Sequence, residues 1–223
     1  MNFSKEWEER YQANTQMSIW PWTDLVTYIH RYAHPRNEGN EVLELGCGAG
    51  ANIPLFLDMG FNYHSVEGSG TIVKMLHEKF PQLQETIIEG DFTKSLPFAQ
   101  EFDVIVDRAS LIHNTTSSIS HGLRLAADKL RTGGKFIGID WFSSEHADSG
   151  RGDQVDSHTR TNLPADSHLC GLGNIHFFDR PHLEGLLGDA GFEIVRLEHK
   201  TLETFVPGPG NKIAWWHFVA VKS

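Results

Sequence analysis

The chain has 223 residues, a formal net charge of −10 and 39% hydrophobic residues, which suffices for one well-buried domain. The excess of acidic residues argues against a nucleic-acid partner, because such a partner is bound through a basic surface. Residues 1–10 lack the apolar core of a secretory signal, and no apolar stretch approaches the roughly 18 residues that cross a membrane. We therefore expect a cytoplasmic protein without a membrane partner.

Strand-like and helix-like segments alternate along the chain. WEERY and TDLVTYIHRYA predict two N-terminal helices, the second with Thr23 as a possible N-cap. EVLELG, YHSVEG, ETIIEG and FDVIVDR then predict four strands, with helices at NIPLFLDMG and SGTIVKMLHEKF. HGLRLAADKLR predicts a further helix ended by Gly133 and Gly134, and KFIGIDWF predicts a fifth strand.

The C-terminal part departs from this alternation. A helix at DRPHLEGLLGDAGF is followed by a strand at EIVRLEH and, after the turn-rich residues 207–211, by a strand at AWWHFVAV. Because no helix separates these two strands, the last strand should run antiparallel. The fold class is therefore α/β, with a doubly wound, mostly parallel sheet of seven strands whose last strand is antiparallel.

We expect one domain with four parts. Residues 1–36 would form a helical cap, 40–142 the cofactor-binding half, 143–176 an insertion that covers the substrate, and 177–223 the C-terminal helix and antiparallel strands. The insertion is the least regular part of the chain, and loops longer than about 12 to 15 residues are usually functional or disordered. The sequence leaves open which of the two applies.

Three alternate glycines, Gly46, Gly48 and Gly50, stand where the first strand gives way to a helix. Glycine there permits a tight turn and lets a ligand approach the backbone, next to the unpaired N–H groups of a helix N-terminus. Glu67 ends the second strand, where a carboxylate can accept hydrogen bonds from both hydroxyls of a ribose. This pattern fits NAD or another adenosine ligand equally well.

Seven motifs in order resemble those of the class I S-adenosylmethionine-dependent methyltransferases, from about residue 40 to the C-terminus. They are ELGCGAG, SVEGS, EGDFTKSLPF, FDVIVDRASLIHN, LRTGGKFIGIDW, AGFEIVRLE and AWWHFVAVKS. The resemblance implies a Rossmann-like transferase that uses S-adenosyl-L-methionine for methylation. A small methyl acceptor is its expected partner.

The resemblance also implies roles for individual residues. Glu44, Gly46 and Gly48 would border the methionine end of the cofactor, Glu67 with Gly68 the ribose, and Asp91 with Phe92 the adenine, while Asp107 would lie where cofactor and acceptor meet. Three of these acids have an alternative role. Glu44 could serve only the fold, Asp91 could cap a short helix, and Asp107 could stabilise a turn.

Histidine and arginine side chains supply the candidates for catalysis and acceptor binding. His113 is the candidate general base, although a histidine near the end of an element is often an ordinary hydrogen-bonding residue. Arg151, His158 and Arg160 in the insertion, together with Trp20, are the candidate acceptor contacts. The histidines, acids and Cys170 of the insertion follow no known ligand spacing, so we expect no metal.

The N-terminal segment resembles the cap of small-molecule methyltransferases, especially the thiopurine and tellurite-resistance types. By that analogy Trp7, Arg10, Tyr11 and Trp20 would close over the cofactor, although the aromatic residues could equally serve only packing.

Three other functions would leave different signatures in the sequence. A short-chain NAD(P) oxidoreductase would need a Tyr-x-x-x-Lys pair, which the sequence lacks. A base-amino methylase that flips its target would carry an Asn/Asp-Pro-Pro-aromatic motif where this chain has VDRAS. A non-catalytic, methyltransferase-like binding or partner subunit stays open, because methyl transfer requires no obligatory catalytic residue. The sequence predicts a methyltransferase for a small polar metabolite and leaves the methylated atom and the oligomeric state open.

Overall fold

A computed structural model describes residues 4–35, 39–206 and 212–222, so the predicted turn at 207–211 lies outside the described residues. The strands are β1 Glu41–Leu45, β2 Asn62–Glu67, β3 Ile87–Glu89, β4 Phe102–Arg108, β5 Leu130–Phe142, β6 Asp153–Gln154, β7 Thr159–Thr161, β8 Ile175–His176, β9 Phe192–Glu203 and β10 Lys212–Lys222. The helices are α1 Lys5–Gln12, α2 Thr23–Tyr32, α3 Ile53–Asp58, α4 Gly70–Lys79, α5 Thr116–Lys129 and α6 Arg180–Asp189. Within these ranges, no helix is both long and apolar enough to cross a bilayer.

Seven strands form one sheet in the order β3-β2-β1-β4-β5-β10-β9. The pairs β3–β2, β2–β1, β1–β4 and β4–β5 are all parallel. β10 lies antiparallel between β5 and β9, because it follows β9 without a crossover helix. The predicted sheet, with an antiparallel last strand, is therefore confirmed.

Helices cover both faces of the sheet, and each face has its own apolar core. On one face α5 and α6 contribute Ile119, Leu123 and Leu183, which pack against the sheet. On the other face α2, α3 and α4 contribute Leu25, Phe56 and Leu76. Because burial of each such side chain is worth about 1.5–3 kcal/mol, the two cores hold the strand ends in fixed positions.

Two predicted helix boundaries were wrong. α5 ends at Lys129, and Gly133 and Gly134 lie inside β5, because β5 begins to pair with β4 as early as Leu130. α2 begins at Thr23 itself, so Trp22 and not Thr23 occupies the N-cap position.

The insertion forms a small folded unit on the edge of the main domain. Its strands β6, β7 and β8 make an antiparallel sheet. This unit has its own apolar cluster, which consists of Leu163, Leu169, Leu172, Ile175 and Phe177. The Asp156 carboxylate accepts hydrogen bonds from the backbone N–H groups of Thr116, His158 and Thr159, and so ties the unit to the start of α5.

Candidate active site

A cavity of about 1240 Å³ opens at the carboxyl ends of the parallel strands. The glycine loop, Glu67 and the 91–94 turn line one end, and residues from α2, β5 and β10 line the other. Ligands of open α/β sheets bind at this edge, because the strand order reverses there between β1 and β4. We call the two parts the cofactor end and the acceptor end.

The glycine loop after β1 fits its surroundings only without side chains. Gly46 and Gly48 have φ of +68° and +50°, which L-residues with a Cβ rarely adopt. A Cβ on Gly46 would lie 2.5 Å from the Ser110 Oγ, and one on Gly48 would lie 3.1 Å from the Tyr11 hydroxyl oxygen. The loop backbone is therefore exposed to whatever occupies the cofactor end.

Glu67 lies at the end of β2, directly opposite this loop. Its Oε2 accepts a hydrogen bond from the Gly48 N–H at 2.9 Å, and its Oε1 accepts one from the Ser69 N–H at 2.9 Å. Burial raises the pKa of the carboxyl group, against the effect of these backbone donors. Each oxygen retains a lone pair, so the group can still accept from ribose hydroxyls. Gly68 follows Glu67 but does not line the cavity.

Glu44 lines the cofactor end and is almost completely buried. Its oxygens accept hydrogen bonds from the Tyr63 hydroxyl at 2.6 Å and from the Asn52 amide nitrogen at 2.7 Å. Burial raises the pKa of this carboxyl group, although both hydrogen bonds oppose the shift. Glu44 therefore orients Asn52, which also lines the cavity and whose Oδ1 is buried without a hydrogen-bond partner among the described residues.

Asp91 and Phe92 also line the cofactor end. The Asp91 Oδ1 accepts hydrogen bonds from the backbone N–H and the hydroxyl of Thr93, and its Oδ2 lies 2.8 Å from the Lys94 Nζ. Partial burial favours a higher pKa, but the bonds from Lys94 and Thr93 outweigh it and lower the pKa of Asp91. Asp91 thus stabilises its own turn, where the alternative prediction had a short helix, and it also lines the cavity.

The structure does not place Asp107 in the cavity, so its predicted contact with cofactor and acceptor is corrected. The side chain is fully buried, and its oxygens accept hydrogen bonds from the Trp141 indole N–H at 2.7 Å and the Leu111 N–H at 2.9 Å. Burial raises the pKa of this carboxyl group to about 7 despite these donors. Asp107 stabilises the turn after β4, which was its alternative role.

His113 lies at the middle of the cavity, on the 3₁₀ turn that precedes α5. Its Nδ1 lies 3.1 Å from the Asn174 carbonyl oxygen, and its ring packs edge-on against the Trp7 ring at 4.8 Å. Burial lowers its pKa to about 4, although the Asn174 carbonyl favours the protonated form. The imidazole is therefore neutral at physiological pH and can accept a proton.

α1 covers the cofactor end as a cap. Trp7 and Tyr11 line the cavity, and the Arg10 guanidinium donates a hydrogen bond to the Cys170 carbonyl of the insertion. Glu8 accepts hydrogen bonds from the Ser69 and Thr71 hydroxyls at the start of α4, next to the end of β2 at Glu67. The cap is thus joined both to the sheet and to the insertion.

The four predicted acceptor contacts do not line the cavity, and the structure gives each another role. Trp20 is 77% exposed. Arg151 pairs with Asp148 and Asp166, and the Arg160 Nε donates to the Ser149 carbonyl. His158 stacks on the His182 ring at 3.6 Å. The prediction for these four residues is therefore corrected: Arg151 and Arg160 are engaged within the insertion, His158 packs against α6, and Trp20 is exposed to solvent.

Other residues, which the sequence analysis did not single out, form the acceptor end. The Arg108 guanidinium donates to the Asp140 Oδ2 from Nε at 2.9 Å and from Nη2 at 2.8 Å, and it stacks on the Trp22 ring at 3.7 Å. Asp24 and Trp215 complete this wall. Arg108 and Asp140 lie near strand ends, a position that marks candidate site residues in the sequence. Their contact with each other depends on strand register, which the sequence does not give.

Two groups of side chains bring possible metal ligands together in the described part of the chain. One consists of His146, Asp148 and His168, and the other of Asp24, Asp140 and His217. In the first group, the Asp148 carboxylate already accepts from Arg151 and the Ser167 hydroxyl, and the His146 Nδ1 accepts from the Asp148 N–H. The absence of a metal stays a prediction.

Residues 12–197 match a protein-family model described as a methyltransferase domain, and the chain belongs to this family. The resemblance to class I methyltransferases is thereby confirmed, and with it S-adenosylmethionine as the cofactor of the family. A solved structure of a S-adenosylmethionine-dependent methyltransferase from Methanosarcina mazei superposes with a TM-score of 0.67 at 20% identity, covering 91% of this chain and 98% of that one.

Two curated relatives match only parts of the chain. The cypemycin N-terminal methyltransferase of a Streptomyces species is 31% identical over 97 residues, which make up 44% of this chain and 38% of the relative. The ribosomal RNA small subunit methyltransferase A of Porphyromonas gingivalis is 43% identical over 51 residues, 23% of this chain and 20% of the relative. The chain therefore spans well under half the length of each.

Proposed function

We propose that this chain is a S-adenosylmethionine-dependent methyltransferase that methylates a small polar metabolite. The observation that carries the proposal is the single cavity, which runs from the glycine loop past His113 to the polar acceptor end. A donor bound at one end and an acceptor bound at the other would meet beside His113, with no bulk water between them. The methylated atom stays open.

The residues at the cofactor end fit S-adenosylmethionine. A cradle of glycines leaves room for the methionine part, where a Cβ would collide with Ser110. The unpartnered Asn52 Oδ1 supplies a buried acceptor for an ammonium group, and Glu44 behind it adds negative potential. Glu67 would hold the ribose, and Asp91 with Phe92 the adenine. The cofactor would supply an activated methyl group bound to a positively charged sulfur.

This chain would contribute mainly alignment and exclusion of water. Holding a nucleophile in line behind a methyl carbon can be worth roughly 7–11 kcal/mol. Trp7 and Leu172 line the middle of the cavity beside His113 and shield it. His113 would take the proton of an acceptor that must lose one, since its lowered pKa of about 4 keeps it neutral.

The charges around the cavity favour a small acceptor over a nucleic acid. Six carboxylates line it, against three lysine or arginine side chains. Such a surface repels a phosphate backbone, whose binding requires cations. Similarity to the ribosomal RNA methyltransferase covers only 23% of this chain, so it gives little support to an RNA acceptor.

Calorimetric titration with S-adenosylmethionine and S-adenosylhomocysteine tests the proposal, with NAD(P) as a control ligand. We expect micromolar binding of the first two and a weaker affinity in Glu67→Ala, followed by methyl transfer to members of a metabolite pool. Folded protein that binds neither ligand would refute the proposal and favour a non-catalytic partner subunit. Preference for NAD(P) would instead favour an oxidoreductase.

A further inference from the structure

Three secondary-structure elements bring two carboxylates and a histidine together at the acceptor end. Asp24 stands in the first turn of α2, Asp140 near the end of β5, and His217 on β10. One oxygen of each carboxylate and one ring nitrogen of His217 all lie within 4.8 Å of one another. Both aspartates line the cavity.

The cations near this cluster are already engaged by it. Asp140 accepts from Arg108 through Oδ2 and from the His217 Nε2 through Oδ1 at 3.0 Å. Asp24 pairs with the Lys200 Nζ at 2.5 Å. Trp22 covers one face of the Arg108 guanidinium. Asp140 uses two of the five N–H groups of Arg108, and the carboxylate oxygens of Asp24 and Asp140 keep lone pairs that a cation can use.

Aromatic side chains complete a site of the kind that binds positive nitrogen. Trp22 and Trp215 both line the acceptor end, and indole faces attract cations within about 6 Å. The Trp215 indole N–H is buried and has no acceptor among the described residues, so it is available to donate to an oxygen of the bound molecule rather than to its cationic nitrogen. Carboxylates and indole rings together therefore face the space that the acceptor would occupy.

We propose that the methyl acceptor carries a positively charged nitrogen, which binds between Asp24 and Asp140 and against the two indole rings. This inference rests on the proposed function and names the class of its substrate. An ammonium nitrogen about 2.8 Å from each of two oxygens can bridge oxygens up to about 5.6 Å apart, and one oxygen of Asp24 and one of Asp140 lie within 4.8 Å of each other. The cationic nitrogen would anchor the acceptor in the site, and it need not be the atom that is methylated.

The test compares matched compounds on protein saturated with S-adenosylhomocysteine. Each set contains an amine, its neutral N-acetyl derivative and the related carboxylate: tyramine, N-acetyltyramine and 4-hydroxyphenylacetate in one set, and ethanolamine, N-acetylethanolamine and glycolate in another. Ligand-observed NMR and calorimetry give the dissociation constants. We expect at least one amine to bind about tenfold or more tightly than both of its relatives.

Asp24→Asn and Asp140→Asn should each weaken binding of that amine by about tenfold or more. Asp128→Asn, at an exposed position on α5, is the matched control and should change nothing. Asp140 also pairs with Arg108 and His217, so Asp140→Asn could disturb the fold. Its binding data therefore count only if the variant unfolds cooperatively on heating. Asp24, on the more exposed α2 turn, gives the independent second variant.

Three outcomes would overturn the inference: binding of the neutral or anionic compounds as tightly as the amines, no binding of any amine, or amine binding that both variants leave unchanged. Binding of Mg²⁺ or Zn²⁺ that requires both aspartates, without amine binding, would assign the cluster to a metal instead. Binding of S-adenosylhomocysteine is measured first in the same samples. Its failure refutes the proposed function, whereas its success without an amine preference refutes only this inference.

Discussion

Replacing Gly46 by alanine tests how the glycine loop is built. Gly46 has φ of +68°, and the new Cβ would lie 2.5 Å from the Ser110 Oγ and 3.3 Å from the Phe92 Cε1. A left-handed backbone costs an L-residue about 1–2 kcal/mol, and crowding of packed neighbours costs about 1–3 kcal/mol more. We therefore expect Gly46→Ala to lower the free energy of unfolding by about 2–5 kcal/mol.

Gly60→Ala is a matched control for this substitution. Gly60 has φ of +80°, but no described atom lies within 4 Å of the Cβ that alanine would add. Only the backbone cost of about 1–2 kcal/mol should then appear, which lowers Tm by roughly 2–8 °C in a chain of this size. Urea unfolding measures both free energies, and calorimetry measures binding of S-adenosylhomocysteine.

Binding should separate the two variants more clearly than stability does. Gly46 borders the cofactor end, whereas Gly60 ends α3 and does not line the cavity. Gly46→Ala should therefore bind S-adenosylhomocysteine more weakly, and Gly60→Ala should bind it as the unchanged protein does. Equal losses of stability in Gly46→Ala and Gly60→Ala would contradict the predicted crowding at Gly46. Unchanged affinity for S-adenosylhomocysteine in folded Gly46→Ala would contradict a role of this loop in cofactor binding.

Three further outcomes follow from the site. Burial raises the pKa of Asp107 from 3.8 to about 7, so between about pH 4 and 7 the folded state holds a proton that the unfolded chain has lost. The free energy of unfolding should therefore fall as pH rises from about 4 to 7. Denaturant unfolding of Asp107→Asn should show no such fall. His113→Gln should lower kcat at saturating acceptor by about 10²- to 10⁴-fold if His113 is the base, and the pKa of about 4 predicts no rate loss from His113 between pH 8 and 6. Glu8→Gln should speed cofactor release in stopped flow and change stability by less than about 1 kcal/mol, whereas Glu9→Gln, on the exposed side of α1, should change neither.

The sequence predicted those features that depend on local pattern. Apolar runs followed by glycine or acid marked the ends of β1 and β2, so the loop at Gly46 and the carboxylate of Glu67 were placed where the structure has them. The antiparallel last strand followed from the missing crossover helix. These predictions need only the order of elements and the chemistry of their ends.

Features that depend on tertiary contact could not be predicted in this way. Asp140 has φ of +60°, a conformation that is uncommon for a non-glycine residue and leaves no trace in the pattern GIDWF. Arg151 and Arg160 looked free in a polar loop, yet contacts within the folded insertion engage both. The partners of a charged side chain, and not its position in a motif, decide whether it is available to a ligand.

The error at Asp107 has a simple geometric cause. Successive side chains of a strand point to opposite faces of the sheet, so Asp107 and Arg108 at the end of β4 serve opposite sides. β5 breaks its own alternation at Asp140, whose φ is +60°: Trp141 lies on the Asp107 side and donates to Asp107 within the core, while Asp140 accepts from Arg108 at the cavity. Asp107 pairs with Gly138 and Arg108 with Ile139, so regular alternation beyond Ile139 would place Asp140 on the side of Asp107 and Trp141 on the side of Arg108. Strand register together with the break at Asp140, and not the presence of an acid at the end of β4, therefore determines which charged group lies at the cavity.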